Sequence, residues 1–338
     1  MTKKNLCGLT VEEIFRLIQA EGFSYDHALA VAKGIYRKRV SDVYQIKGIP
    51  KSLMAYLKLV SDEGFYKPAS CEISLDRTIK YLFISPEGKK FEAVFIPGDK
   101  RTTVCVSTQS GCRMGCPFCV TGKYGFYGDL SAGDIVNQVI SIPDTDKVTH
   151  VVFMGMGEPM DNLENVLKAC TLMTSEWGMA LSARNITVSS VGITQGITEF
   201  LNRSACNLTI SLYSPFAEER IRVIPAETKY PVHGIINIMK DFPVKKKRRF
   251  SVAYIMIKDV NDTDRHLKGL KSLLAGSGIR VNLLPYHPTE DDRNISSPEG
   301  RMQFFRHNLV ISGISASVRR SRGADISAAC GLLASDLR

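Results

Sequence analysis

Apolar residues recur at helical spacing near the start of the chain and at strand spacing beyond it. Thr10 and Glu13 form a capping-box pattern, with Ile14, Phe15, Leu17 and Ile18 following at helical intervals. Further helix patterns run from about Asp26 to Tyr36 and from Ser52 to Val60. Residues 1–72 are therefore expected to form a small helical accessory domain. Pro68, Ala69 and Ser70 read as a linker. Thr78–Ile84 and Phe91–Ile96 alternate around the turn Pro86-Glu-Gly-Lys89, which predicts a β-hairpin extension over residues 73–98.

From about Thr102 the pattern alternates between strand and helix. Strands are expected at Thr103–Ser107, Thr149–Met154, Asn185–Ser190, Asn207–Leu212, Ser251–Ile257, Arg280–Leu284 and Ser315–Val318. Helical patterns such as Ala132–Ile142, Leu163–Ser175, Thr263–Leu274 and Pro298–Ile311 separate them. Repeated βα units imply a parallel sheet with covering helices. Six units and a closing strand predict an α/β fold, a partial (β/α)6 barrel, over residues 99–338. The chain shows no internal repeat and no low-complexity tract.

One loop carries distinctive chemistry. Cys112-Arg-Met-Gly-Cys116-Pro-Phe-Cys119 has the spacing C-x3-C-x2-C and directly follows the first strand of the alternating region. Three thiolates in one loop can hold three irons of a 4Fe-4S cluster and leave the fourth iron open. An electron-transfer ferredoxin needs a fourth cysteine, and none follows within a few residues. An open iron can take a chelating substrate, and this spacing resembles that of radical S-adenosylmethionine (SAM) enzymes. The bland alternatives are a zinc site or a redox pair, but zinc sites usually show a second Cys or His pair, which is lacking here.

Composition places the chain among intracellular enzymes. Its 338 residues are enough for a sizeable core, in one large or two unequal domains. No apolar run approaches the ~20 residues of a membrane span, and Met1-Thr-Lys-Lys-Asn5 leads into an amphipathic pattern with no apolar signal core. The nine cysteines are too few and irregular for a disulfide scaffold, so a reducing, cytoplasmic location is expected. The net charge of +10 favours a polyanionic partner, nucleic acid first. Two basic clusters stand out: Lys245-Lys-Lys-Arg-Arg249, and Arg319, Arg320 and Arg322. The first reads equally as a solvated loop or a phosphate contact.

Active sites of such barrels lie at the C-terminal ends of the strands. The cysteine loop falls there, as do Gly155-Met-Gly-Glu158-Pro, Ser189 with Ser190, Ser211-Leu212-Tyr213, and Pro285-Tyr-His287. Each alone reads as a turn or a loop cap; together they surround one barrel mouth. Cys7, Cys71, Cys170 and Cys206 have no partner at ligand spacing, and buried bystander is the default for Cys170 and Cys206.

The chain resembles the RlmN/Cfr family of radical SAM RNA methyltransferases over nearly its whole length. The resemblance rests on Cys105-Val-Ser-Thr-Gln-Ser-Gly-Cys112-Arg-Met-Gly-Cys116-Pro-Phe-Cys119, Phe153-Met-Gly-Met-Gly-Glu-Pro159, Ile210-Ser-Leu212 and Gly323-Ala-Asp-Ile-Ser-Ala-Ala-Cys330-Gly331. It implies one 4Fe-4S cluster held by Cys112, Cys116 and Cys119, and SAM as cosubstrate. It implies that Cys330 accepts a methyl group from a first SAM, that a radical derived from a second SAM activates this methyl, and that the methylene carbon joins adenine. Cys105 then attacks the Cys330 sulfur, forms a disulfide and frees the base. Glu92, thirteen residues before Cys105, matches the residue that removes the ring proton; on its own it reads as an outward-facing strand carboxylate. For SAM the resemblance implies Gly157, Glu158, Ser189, Ser211, Leu212, Tyr213 and His287. Tyr213 stands where His is expected, His287 where Asn is expected, and Leu332 where Gln is expected; Tyr and His can still donate a hydrogen bond.

The implied reaction is C2 methylation of one adenine in 23S rRNA and of the adenine next to the anticodon in tRNAs. The implied protein is a monomer, bound to no membrane and fed by an electron donor such as flavodoxin. Its helical domain and basic segments would hold the RNA by shape and phosphate contacts. Two alternatives stay open. One is a Cfr-like C8 methyltransferase, although Pro159 and Pro285 look more like the C2 branch. The other is a cluster-containing RNA-binding or redox protein without methyltransferase activity.

Overall fold

A computed structural model describes residues 3–243, 248–288 and 292–334. Its centre is a mixed ten-stranded sheet. Seven strands run parallel and neighbour one another in chain order: Thr103–Cys105, His150–Phe153, Ile186–Ser190, Asn207–Ser211, Phe250–Met256, Arg280–Pro285 and Ala316–Val318. These are the first to seventh barrel strands. The helices Ala132–Ile140, Leu163–Thr174, Thr194–Arg203, Val232–Asp241, Asp264–Leu274 and Glu299–Ile311 make the six crossovers between them. Each crossover buries one apolar face, as at Ile235, Ile236 and Met239 or Leu267, Leu270 and Leu274. The partial barrel read from the periodicity is therefore present.

Beyond the first barrel strand the sheet continues antiparallel through Lys90–Ile96, Ile79–Ile84 and Ser70–Ile73. The hairpin expected from the alternation is there, but it extends the barrel sheet. Ser70, read as part of a linker, instead opens a third strand, paired with Ile79–Ile84. That strand is exposed throughout, so its side chains carried no apolar alternation to signal it.

Three helices precede this region: Val11–Ile18, Tyr25–Ala32, which runs on into a π-turn at Lys33–Arg37, and Lys51–Val60. The capping box forms: the Thr10 amide donates to Glu13 Oε2 at 2.8 Å and the Glu13 amide to Thr10 Oγ1 at 3.3 Å. The helical segment is anchored to the barrel helices, with Lys168 Nζ 2.7 Å from Glu13 and Tyr36 against Trp177. A parallel pairing of Lys4–Asn5 with Ser61–Asp62 closes the segment on itself.

Register decides what the barrel encloses. Side chains alternate across a strand, so residues paired across the sheet share one face. Cys105, Val152, Thr187 and Asn207 form one such row; Ser189, Thr209, Ser251 and Arg280 a second; Ser211, Ala253, Asn282 and Ser317 a third. All of them face the lumen. Barrels of this type are usually filled by Val, Ile and Leu. Here the inward positions are mostly small and polar, and they leave a cavity of about 840 Å³.

Candidate active site

The cysteine loop is built between the first barrel strand and the helix Val120–Tyr124. A short antiparallel ribbon of Gln109–Gly111 with Phe126–Asp129, absent from the expected elements, holds its base together. The Cys112 amide donates to Gly125 O at 2.7 Å and the Cys119 amide to Cys116 O at 3.1 Å. Cys112, Cys116 and Cys119 all line the cavity. Their thiols feel one another: burial raises Cys112, with Cys119 and Cys116 adding to the rise, and burial with Cys119 pushes Cys116 up to about 12.

Behind the loop lies a network that the sequence did not disclose. Gln109 is buried and donates through Nε2 to Asp129 and Asp161, both at 2.8 Å, while its Oε1 accepts from the Glu158 amide at 2.9 Å. Gly157 approaches so closely that a Cβ there would lie 2.6 Å from Gln109 Cβ, and its φ of +95° favours glycine independently. Glu158 is buried on the cavity wall. Its carboxylate accepts from the amides of Met160 at 3.0 Å and Val191 at 2.9 Å, so it ties the loop after the second strand to the loop after the third. Burial raises its pKa to about 7, against the lowering effect of those bonds.

A second tie had no sequence signal: Arg220, fully buried in a short helix after the fourth strand. Its guanidinium donates to the carbonyls of Leu212 at 3.1 Å, Ser211 at 3.0 Å and Val191, and pairs with buried Glu227. It thereby fixes the strand ends that present Ser190 and Ser211 to the cavity.

Ser189 and Ser211 line the cavity with Gly157 and Glu158. Leu212, Tyr213 and His287 are not on its wall. Leu212 is fully buried. Tyr213 has a φ of +62° and stacks on Phe118 of the cysteine loop, ring centroids 6.2 Å apart. His287 Nε2 lies 2.7 Å from Ser321 Oγ, and burial lowers its pKa.

Chain topology brings the two remaining cysteines here. After the seventh strand the chain crosses the open side of the barrel to the antiparallel extension. The Gly323 amide donates to Asp76 Oδ2 at 3.1 Å, and Asp325 accepts from Ser74 Oγ at 2.6 Å and the Leu75 amide at 3.1 Å. Gly323 has a φ of +61°, and a Cβ there would meet Ala328 and Thr78 within 3 Å. The segment then returns to the cysteine loop, where the Val120 amide donates to Gly331 O at 2.8 Å and Thr121 Oγ1 to Leu333 O at 3.0 Å. Cys330 lies in irregular chain after a single turn at Ala324–Ile326, because Gly323 and Ser327 both take the left-handed conformation.

Cys105 and Cys330 line the same cavity as the cysteine loop. Burial, and then the Cys330 thiol, push Cys105 well above the ordinary thiol range. Cys330 faces the open cavity but has protein around it; burial raises its pKa, Arg319 lowers it and Cys119 raises it. No disulfide joins any of the nine cysteines.

Glu92 does not face outward. It is 2% exposed, behind the cavity wall, with Oε2 accepting from the Ala334 amide at 2.7 Å and Oε1 3.8 Å from Nζ of buried Lys80. Arg319 and Arg320 line the cavity, as does Arg322, which lies 3.7 Å from Asp76. Of the other basic run, Arg249 lines the cavity, Arg248 packs over Phe242 and Phe250, and Lys245, Lys246 and Lys247 lie outside the described residues. Cys170 and Cys206, read as bystanders without a partner, are buried within hydrogen-bonding reach of each other.

Residues 106–268 match the model of the radical SAM superfamily. Over 331 residues the chain is 39% identical to a probable dual-specificity RNA methyltransferase RlmN of Parabacteroides distasonis, covering 98% of this chain and 96% of that one. It is 41% identical over 333 residues to a protein of the same name from Phocaeicola vulgatus, covering 98% and 95%. The chain belongs to the RlmN family. Its structure is also similar to that of a radical SAM methyltransferase from Sphaerobacter thermophilus, with a TM-score of 0.90, 34% identity, and 98% and 99% of the two chains covered.

Radical SAM membership implies a 4Fe-4S cluster and SAM. The residues present fit both. Three thiols, none in a disulfide, line a cavity large enough for a nucleoside-sized ligand, and Gly157, Glu158, Ser189 and Ser211 offer polar groups on the same lining. Among the described residues no three His, Cys, Asp or Glu side chains converge as ligands of one metal ion would. No helix among the described residues is long and apolar enough to cross a membrane.

Proposed function

We propose that this protein methylates C2 of a specific adenine in 23S rRNA and of the adenine next to the anticodon in tRNAs, with Cys330 as methyl carrier. The observation that carries the reading is that Cys105 and Cys330, 225 positions apart, line one cavity with Cys112, Cys116 and Cys119. Bound there, the 4Fe-4S cluster and SAM supply the methyl group and the radical chemistry. The three loop cysteines would hold the cluster, and Glu158, Gly157, Ser189 and Ser211 would bind SAM.

The chain's own groups divide the rest. Cys330 must be a thiolate to accept a methyl, and nearby Arg319 favours that form against burial. Exposure to the cavity lets Cys330 meet both donor and base. Once adenine is linked to Cys330 through one methylene, Cys105 attacks the Cys330 sulfur. The S–S bond forms as the S–C bond breaks; the bonding pair stays with the carbon, which takes up a proton to become the methyl group, and external thiols later return two electrons to the disulfide. Glu92 takes the ring proton. Its Oε2 is held by the Ala334 amide and its Oε1 faces Lys80, so the segment after Cys330 shifts before the carboxylate reaches the base. The extruded adenine costs the RNA roughly a few kcal/mol of stacking, which phosphate contacts from the cavity-lining arginines offset. An electron donor such as flavodoxin reduces the cluster, and the protein acts as a cytoplasmic monomer.

The test is direct. Cluster-reconstituted protein is incubated with SAM, a reductant and an rRNA fragment, and the digested RNA is analysed by position-resolved mass spectrometry. Methyl at C2 of one adenine is expected. Methyl at C8, or SAM cleavage without RNA modification, rejects the reading.

A further inference from the structure

The lumen does not end at the cysteine loop. Its wall continues to the opposite end of the barrel, where the strands begin. Arg101 precedes the first barrel strand, Arg184 the third and Arg249 the fifth, Arg280 opens the sixth, and His150 opens the second. All five line the same cavity as Cys105. Register accounts for Arg280, which shares its row with Ser251, Thr209 and Ser189. The groups act on one another: burial lowers the Arg101 pKa, followed by Arg319 and Arg249, and burial lowers that of His150, followed by Arg101 and Arg249.

This charge is not balanced by the protein. Among the described residues Glu158 is the sole carboxylate lining the cavity, and it lies where the strands end. Arg101, Arg184, Arg249 and Arg280 make no ion pair among the described residues, whereas Arg203 and Arg265 on the outer surface each pair with two glutamates. The four arginines are exposed to solvent, yet they line one lumen rather than scatter over the outer surface. Between them stand neutral hydrogen-bonding groups: Thr103, Thr187, Asn207, Thr209 and Ser251. The two phenylalanines of the wall, Phe118 and Phe153, lie toward the strand ends, so among the described residues His150 is the one ring at the arginine end. Guanidinium forks with hydroxyl and amide donors match a tetrahedral oxyanion.

We infer that the strand-start end of the barrel is a phosphate-binding site, separate from the methyl-transfer centre and joined to it through the lumen. The phosphate comes either from the backbone of the RNA strand whose adenine occupies the strand-end mouth, which rests on the function proposed above, or from a free pyrophosphate or nucleotide.

The experiment uses the full-length, cluster-loaded protein, titrated with pyrophosphate and separately with a single-stranded RNA oligonucleotide over a range of salt. The variants are Arg249→Gln, Arg280→Gln and their double. Arg306→Gln, an exposed residue on the helix Glu299–Ile311 away from the lumen, is the charge control. Iron content and circular dichroism report folding. The double variant is expected to flatten the log–log salt dependence of RNA binding by about 1.4, at ~0.7 per lost contact on a single strand, while Arg306→Gln keeps the wild-type slope. A flattened slope with no pyrophosphate binding assigns the site to backbone phosphate. Pyrophosphate binding that the double variant abolishes assigns it to free phosphates, whatever the RNA slope. Equal RNA slopes in wild type and double variant, with pyrophosphate binding absent or unchanged, overturn the inference. RNA bound with the expected slope difference but never methylated rejects the methyltransferase reading and leaves the phosphate site standing.

Discussion

Replacing Arg220 by Met should disturb the strand ends more than any substitution of an exposed arginine. The side chain is fully buried, and its guanidinium donates to three backbone carbonyls and to Glu227. Burial draws its pKa down and Glu227 draws it up; a guanidinium stays charged under that balance. Met fills a comparable volume but leaves the Glu227 carboxylate buried, with the Val232 amide as its remaining described donor. Breaking a buried pair from one side costs about 3–5 kcal/mol. With a urea m-value near 3 kcal/mol per M, the midpoint falls by roughly 1–1.7 M. Urea unfolding followed by far-UV circular dichroism, under anaerobic conditions, measures this. Removing both charges in Arg220→Met/Glu227→Leu should recover much of the loss, because no charge is then left alone. A single variant within ~0.5 kcal/mol of wild type, or a double variant worse than the single, would refute the argument that this pair braces the strand ends.

Three further outcomes follow from the site. Cys105→Ala should form the carbon–carbon bond and then stall, giving a protein–RNA adduct at Cys330 that survives denaturation; normal turnover on gel and activity assays would sink the resolving role. Anaerobic protein should contain a 4Fe-4S cluster, and alanine at Cys112, Cys116 or Cys119 should abolish SAM cleavage to 5′-deoxyadenosine, whereas alanine at Cys7, Cys71, Cys170 or Cys206 should preserve it; tightly bound zinc without iron overturns the assignment. Burial alone would raise Asp76, but hydrogen bonds, among them those from the amides of Thr78 and Gly323, outweigh it and hold its pKa at about 2, below the usual 3.8. A depressed carboxylate contributes stability above its unfolded pKa and loses it as pH falls through the folded one. Between about pH 4 and pH 2 the urea midpoint of wild type should therefore fall more steeply than that of Asp76→Asn; parallel curves would show that Asp76 does not anchor the segment leading to Cys330.

The sequence by itself determined the barrel and the position of the cysteine loop. Strand and helix periodicities differ, so the seven parallel strands were legible within a residue or two. Three cysteines within eight positions leave little freedom of arrangement, so their shared purpose was local. The exposed strand Ser70–Ile73 was not legible, because an edge strand with both faces in solvent needs no apolar alternation. Nor was Arg220, since a buried guanidinium and a surface one look alike until the carbonyls around it are placed. Only the tertiary structure turned Glu92 inward, through a register that sets it beside buried Lys80 and under the Ala334 amide. Only it laid the segment after the seventh strand across the barrel opening, so that Cys330 meets Cys105 and the cluster loop. And only it gathered Arg101, Arg184, Arg249 and Arg280, spread over 180 positions, around one end of a lumen. Periodicity reports which face of an element is buried. What that face meets depends on strand order, register and the path of the chain between elements, which are settled by the packing of the whole.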